Sequence, residues 1–125
     1  MAELRSGEAG AVERRLAWMR ETAANGLEAA GLYRTVGIPV VEGLAAFHRS
    51  AWADAVELLL PVRVDLWQIG GSYAQRDVVN WTLTEAAVRA GQRDVALSLA
   101  HERLATRSRS TPNRRFLRHA EAIAA

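Results

Sequence analysis

The chain has 125 residues, no cysteine, half of its residues hydrophobic and a formal net charge of only +2. That length suits one domain that buries roughly two thirds of its unfolded surface in a single core, and the missing cysteines exclude disulfide staples, thiolate metal ligation and thiol chemistry. No apolar run reaches the length of about eighteen residues that spans a bilayer and no basic leader precedes one, so neither a membrane segment nor a signal peptide is expected and the expected location is the cytoplasm.

All sixteen basic side chains are arginine. In an alanine-rich chain this looks like GC-rich coding more than a demand for guanidinium chemistry. The charge is uneven: residues 1–62 hold six arginines and eight acids, residues 63–125 ten arginines and six acids, giving −2 and +4.

Residues 1–9 are small and polar and are expected to fray. Val12, Leu16, Met19 and Ala23 then recur at steps of four, three and four, which predicts a helix within 10–30 that ends at Asn25-Gly26 or runs on to Gly31. Leu32 to Gly37 reads as a connector. Pro39 suits the first turn of the next helix, where a missing N–H costs nothing; this helix runs to about Arg49 with Val40, Leu44 and Phe47 as its stripe and Val41 and Ala45 widening it. After a turn at Ser50-Ala51, a further helix turns Trp52, Val56, Leu59 and Leu60 inward. Pro61 removes one hydrogen bond and clashes with the carbonyl of Glu57, predicting a kink, beyond which Val62, Leu66, Trp67 and Ile69 continue the apolar surface. The first helical hairpin thus covers 39–69.

The stretch Gly70-Gly71-Ser72-Tyr73-Ala74-Gln75-Arg76-Asp77 organises the rest. Its glycines allow a sharp bend, and Ser72 with Gln75 three residues on forms a capping box for the helix that follows. That helix, to about Ala90, is apolar or small nearly all round, with Val79, Leu83, Ala86 and Ala90 on one face and Val78, Trp81 and Val88 on others, so it is expected to be a central rod covered on more than one side. Gly91 ends it. A helix from about Asp94 packs through Ala96, Leu99, Ala100 and Leu104 and completes a second hairpin over 72–105. Thr111-Pro112 signals the start of a capping helix over 111–124, striped by Phe116, Ala120 and Ile123. With no period-two pattern, the reading is one all-α domain, 1–125, of about six helices in an α-hairpin array.

Set beside each other, Ser50-Ala51-Trp52-Ala53-Asp54-Ala55-Val56 and Gly91-Gln92-Arg93-Asp94-Val95-Ala96-Leu97 show a tight turn followed by a helix with a close-packing alanine. The alanines at 55 and 96 are 41 apart. This pattern is the second-helix signature of a tetratricopeptide (TPR) unit, in which a small residue lets paired helices approach. More specifically, Leu58-Leu59-Leu60-Pro61-Val62-Arg63 followed by Trp67 to Asp77 resembles the C-terminal part of the tetratricopeptide repeat protein 38 family, and the similarity extends over about 35–125. The resemblance implies a short TPR-like α-solenoid with no established chemistry and without the N-terminal repeats of longer members. Such an array needs polar caps at both ends. Poor capping by the N-terminal helix would leave Trp18, Phe47 and Trp52 as a patch that a second copy of the chain covers, so a homodimer is the expected partnership.

The polar groups at the start of the 72–90 helix, Gly70, Gly71, Ser72, Gln75, Arg76, Asp77, Asn80 and Glu85, form the candidate site. One reading has backbone N–H groups and Arg76 receiving an anion; the other has Ser72 and Gln75 capping while Arg76 pairs with Asp77, Glu85 or an acid of a neighbouring helix. Ser72 is not in a nucleophile elbow, and His48, His101 and His119 have no orienting acid that the spacing supplies. No metal-ligand spacing occurs, so neither catalysis, cofactor nor metal is expected. Arg103, Arg107, Arg109, Arg114, Arg115 and Arg118 form a basic run, but modest net charge and the absence of interleaved aromatics argue against nucleic acid as partner. The function expected is a non-catalytic protein–protein interaction module that pairs with itself or another protein; the alternative is a ligand-binding or enzymatic accessory domain using the polar start of the 72–90 helix. Ser72→Ala is expected to lower stability by about 0.5–2 kcal/mol in denaturant titration; an unchanged midpoint counts against the capping box.

Overall fold

Small residues at the helix crossings and two left-handed turns between helices decide the architecture. A computed structural model describes residue 31, residues 33–69 and residues 73–124, and over these the chain is helical with no strand. The helix predicted within 10–30 and the Gly70-Gly71-Ser72 bend lie outside the described residues.

The segment read as a connector is wound. A π-helical turn, Tyr33–Gly37, runs directly into α1, Ile38–His48. Thr35 Oγ1 donates to the Gly31 carbonyl at 2.7 Å, and Val36 is buried in the core. Because helical chain already precedes α1, no side chain is required to cap it, and Pro39 sits in the first turn as its missing donor allows.

The helix α2, Trp52–Leu59, follows a short turn. Pro61 does more than kink it. The helix stops at Leu59, residues 60–62 turn, and the chain continues as a 3₁₀ helix, Arg63–Ile69, so the proline, which has no N–H to give, falls just past the helix end. In a 3₁₀ helix residues i and i+3 eclipse, and this sorts the segment into faces. Leu66 is buried at 4% exposure, while Val64 and Trp67 share another face and stand out at 64% and 65%. On the third, Gln68 Nε2 donates to Asp65 Oδ1 at 3.0 Å. Trp67 therefore does not join Val62 and Leu66 in the core as the apolar pattern had suggested.

Three further helices complete the chain: α3, Tyr73–Arg89, α4, Arg93–Thr106, and α5, Thr111–Glu121. The helix α3 touches α1, α2, α4, α5 and the 3₁₀ segment. It buries Val79, Leu83, Ala86 and Ala87, and also Thr82 and Thr84, which are almost wholly inaccessible. Their hydroxyls donate to the carbonyls of Val78 and Asn80, each at 2.8 Å, which satisfies them without a partner helix. Val78 itself is exposed at 45%, so the coverage of α3 is broad but not complete.

The internal repeat is visible in the hydrogen bonds that close each hairpin. At the end of α1, Arg49, Ser50 and Ala51 donate their backbone N–H groups to Ala45, Phe47 and Ala46 at 3.0, 3.0 and 2.9 Å. At the end of α3, Ala90, Gly91 and Gln92 donate to Ala86, Val88 and Ala87 at 2.8, 3.1 and 3.1 Å. Every donor and acceptor corresponds at an offset of 41, from 50 to 91 and from 46 to 87. This is the Schellman closure, which needs a left-handed residue; Ser50 has φ 62° and Gly91 φ 71°. Ala46 and Ala87 on the first helices, and Ala55 and Ala96 on the second, are all fully buried, so the two chains of each hairpin approach through the same small positions. Gly43 extends this rule. A Cβ there would lie 2.5 Å from Cγ and Cδ2 of Leu59.

The patch expected around Phe47 and Trp52 is partly covered from within the chain. Their rings pack edge to face at 5.1 Å, and the Arg89 guanidinium lies 4.8 Å from the Trp52 ring centroid. Trp18 is outside the described residues.

These turns carry a measurable asymmetry. Ser50→Gly is expected to raise stability by about 0.5–1 kcal/mol, whereas Gly91→Ala, whose Cβ meets nothing within 4 Å, costs about 1 kcal/mol through backbone conformation alone. Gly43→Ala costs about 1–3 kcal/mol because Leu59 must give way. Urea midpoints of the three variants check the ordering, and stabilisation by Gly91→Ala would refute it.

Candidate functional site

Asp77, Asn80 and Trp81 lie at i, i+3 and i+4 on α3 and so share one face of that helix. The last turn of α4 brings Glu102 and Arg103 towards them. A short link to α5 follows, and Ser110, extended at φ −68° and ψ 120°, caps α5 by accepting from the Asn113 N–H at 3.3 Å. The cap is thus one residue earlier than Thr111, the residue that the Thr-Pro signal suggested, and Pro112 falls within the first turn.

Arg103 joins the three helices. Its Nε donates to Asn113 Oδ1 at 2.8 Å, and Nη1 and Nη2 donate to the two oxygens of Asp77 at 3.1 and 3.3 Å. Asn113, 3% exposed, returns a bond from Nδ2 to the Arg103 carbonyl at 3.3 Å. The guanidinium lies 5.6 Å from the Phe116 ring centroid, and Phe116 meets Trp81 edge to face at 5.6 Å. With the Arg103 side chain only 11% exposed and that of Asp77 at 38%, this is a forked ion pair whose guanidinium is shielded and bonded through all three nitrogens, an arrangement that suits arginine. A second fork ties the 3₁₀ helix to α4: Arg63 donates to Glu102 at 2.6 and 3.1 Å, with the carboxylate half open to solvent.

Two clefts flank Asp77 and Asn80. One, of about 590 Å³, lies among α3, α4 and the start of α5 and is lined by Asp77, Trp81, Arg103, Ser110, Pro112 and Asn113 among others. Its central charges are spent on one another through the Arg103 fork. The other, of about 310 Å³, runs between the 3₁₀ helix and α3 and includes Val64, Trp67, Arg76, Asp77 and Asn80. Here the accounting is different. Arg76 is half-buried with no ion pair among the described residues; Asn80, which lines both clefts, keeps its Oδ1 buried without a hydrogen-bond donor.

The predicted site is therefore partly assembled and partly dispersed. Arg76 pairs with neither Asp77 nor Glu85: adjacent helical residues diverge, and position 85 lies half a turn round and about 13 Å further along the helix. Asp77 finds its partner on α4, and Glu85 takes Arg89 one turn on at 2.8 Å. Gln75 is exposed on α3; Gly70, Gly71 and Ser72 lie outside the described residues. The basic run also divides, since Arg103 turns inward while Arg107, Arg109, Arg114, Arg115 and Arg118 remain exposed. His48, His101 and His119 are exposed on three different helices, and among the described residues no group of three or more His, Asp or Glu is placed to hold a metal. No described helix is long and apolar enough to cross a membrane.

Sequence reasoning missed Asn113 as the acceptor that fixes Arg103, and it placed Trp67 inside. The Ser110-to-Asn113 spacing of a cap carried a signal for the first; nothing local distinguished Arg103 from the five exposed arginines beside it. No family model matches the chain, and no solved structure matches it significantly.

Asn113→Ala leaves the shielded Nε of Arg103 without its acceptor and is expected to cost about 1–3 kcal/mol. Arg63→Gln, breaking the more exposed fork, is expected to cost under about 1 kcal/mol. Chemical denaturation distinguishes them, and equal losses would remove the Arg103 network from its structural role.

Proposed function

We propose that this chain is a non-catalytic, TPR-like protein–protein interaction module of the short α-solenoid kind, acting in the cytoplasm. The observation that carries this reading is the repeated hairpin: the same Schellman closure and the same buried alanines return after 41 residues, which is the construction of repeat arrays that stack hairpins and leave a continuous surface for partners. The resemblance of Leu58 to Arg63 and of Trp67 to Asp77 to the tetratricopeptide repeat protein 38 family supports the same assignment. The well-formed polar network around Arg103 is internally satisfied, as befits a scaffold.

Self-association is the second arm of the proposal. The exposed Val78 and the partly exposed Phe47 and Trp52 supply apolar surface that a second copy would bury. Affinity capture on the purified chain, read together with light scattering across micromolar concentrations, tests the module reading. Reproducible capture of a protein, or a dimer that forms with rising concentration, is the expected result; a strictly monomeric chain that retains no protein overturns it.

A further inference from the structure

Within the interaction-module reading, and resting on it, we propose that the cleft between the 3₁₀ helix and α3 docks an extended acidic segment of a partner protein. An Asp or Glu of that segment pairs with Arg76, and an adjacent apolar side chain lies on Trp67 and Val64.

Two independent features of the cleft define this occupant. The first is charge. Arg63 and Arg76 line it; Arg63 is paired with Glu102 and the one carboxylate, Asp77, is held in the Arg103 fork, whereas Arg76 has no ion pair among the described residues. An arginine left without a counter-charge attracts a carboxylate, with which its planar fork pairs in two bonds. The second is the eclipsed apolar face of the 3₁₀ helix, which an anion alone would leave uncovered and an adjacent side chain of a peptide covers. Val64 and Trp67, 64% and 65% exposed, stand together on the rim, and tryptophan and arginine are the side chains over-represented among residues that dominate interfaces.

The larger cleft, which Asn80 also lines, offers neither. Arg103 and Asn113 already bond each other, and Asp77 is bonded by Arg103. The smaller cleft, at about 310 Å³, takes two or three side chains and the chain that carries them.

The test is selection from a random peptide library displayed on phage, panned against the full chain. Enriched peptides are expected to carry an acidic residue beside an apolar or aromatic one, and to bind more weakly as salt is raised. A synthetic labelled copy of the strongest peptide should lose about tenfold or more in affinity for Arg76→Gln and for Trp67→Ala, with no loss for the exposed Arg115→Gln. Both altered side chains reach the surface, and circular dichroism confirms that the variants remain folded. Panning the charge-reversed Arg76→Glu chain should shift the enriched peptides from acidic to basic. Peptides without acids, or binding indifferent to residues 67 and 76, overturn this site while leaving the module intact. Failure of enrichment also overturns it, as does a dimer abolished by Trp67→Ala in the absence of any peptide ligand, which assigns the cleft to a second copy. Failure of the module itself is read separately, in the capture experiment.

Discussion

One residue in left-handed backbone conformation closes each helical hairpin, and the remainder of the structure follows from that constraint. With Ser50 and Gly91 at positive φ, the chain leaves α1 and α3 in the same direction relative to each axis, and the next helix returns along the one just completed. The returning helices pack closely because alanines and Gly43 stand at the approaches, and dispersion contacts accumulate only where backbones come near. The helix α3 belongs to the second hairpin by connectivity and to both by packing. Its interior position explains why even its threonines turn their hydroxyls back onto their own helix.

A second level of organisation separates polar groups that hold the fold from those that remain available. Arg103, Asp77 and Asn113 satisfy one another at the meeting of α3, α4 and α5. A single forked side chain thereby fixes the angle at which the last helix lies on the array. On the other side of Asp77 the account does not close: Arg76, without an ion pair among the described residues, lines a cleft rimmed by exposed apolar residues. Unequal satisfaction on the two sides of one aspartate distinguishes scaffold from surface more clearly than the identity of any residue.

Much of this was legible in the chain itself. Periodicity located α1 to α5, Gly91 and the alanines at 55 and 96 disclosed the repeat, and the apolar character of α3 marked it as central. These are local properties, set by a period of 3.6 residues and by the steric demands of turns. The failures also have physical causes. Residues 33–37 read as a connector because a π-helical turn has no distinctive apolar period, and Trp67 was placed inside because the apolar pattern was read as though helical winding continued at 3.6 residues per turn past Pro61, whereas a 3₁₀ helix has three. The pairing of Asp77 with Arg103 spans 26 positions. Nothing near either residue announces it, since only the stacking of α4 on α3 brings them together.

The arginine-only composition takes on a different meaning once side chains are in place. Position 103 engages two acceptors on different helices through Nε and both terminal amines while its plane lies near an aromatic ring, and position 63 forks onto Glu102. A lysine has a single ammonium and cannot reproduce either geometry. The exposed arginines at 109, 115 and 118 form no such fork. Drift in the base composition of the gene would therefore be felt unevenly, with lysine entering freely along the outer face of α5 while selection holds the guanidinium at 63 and 103.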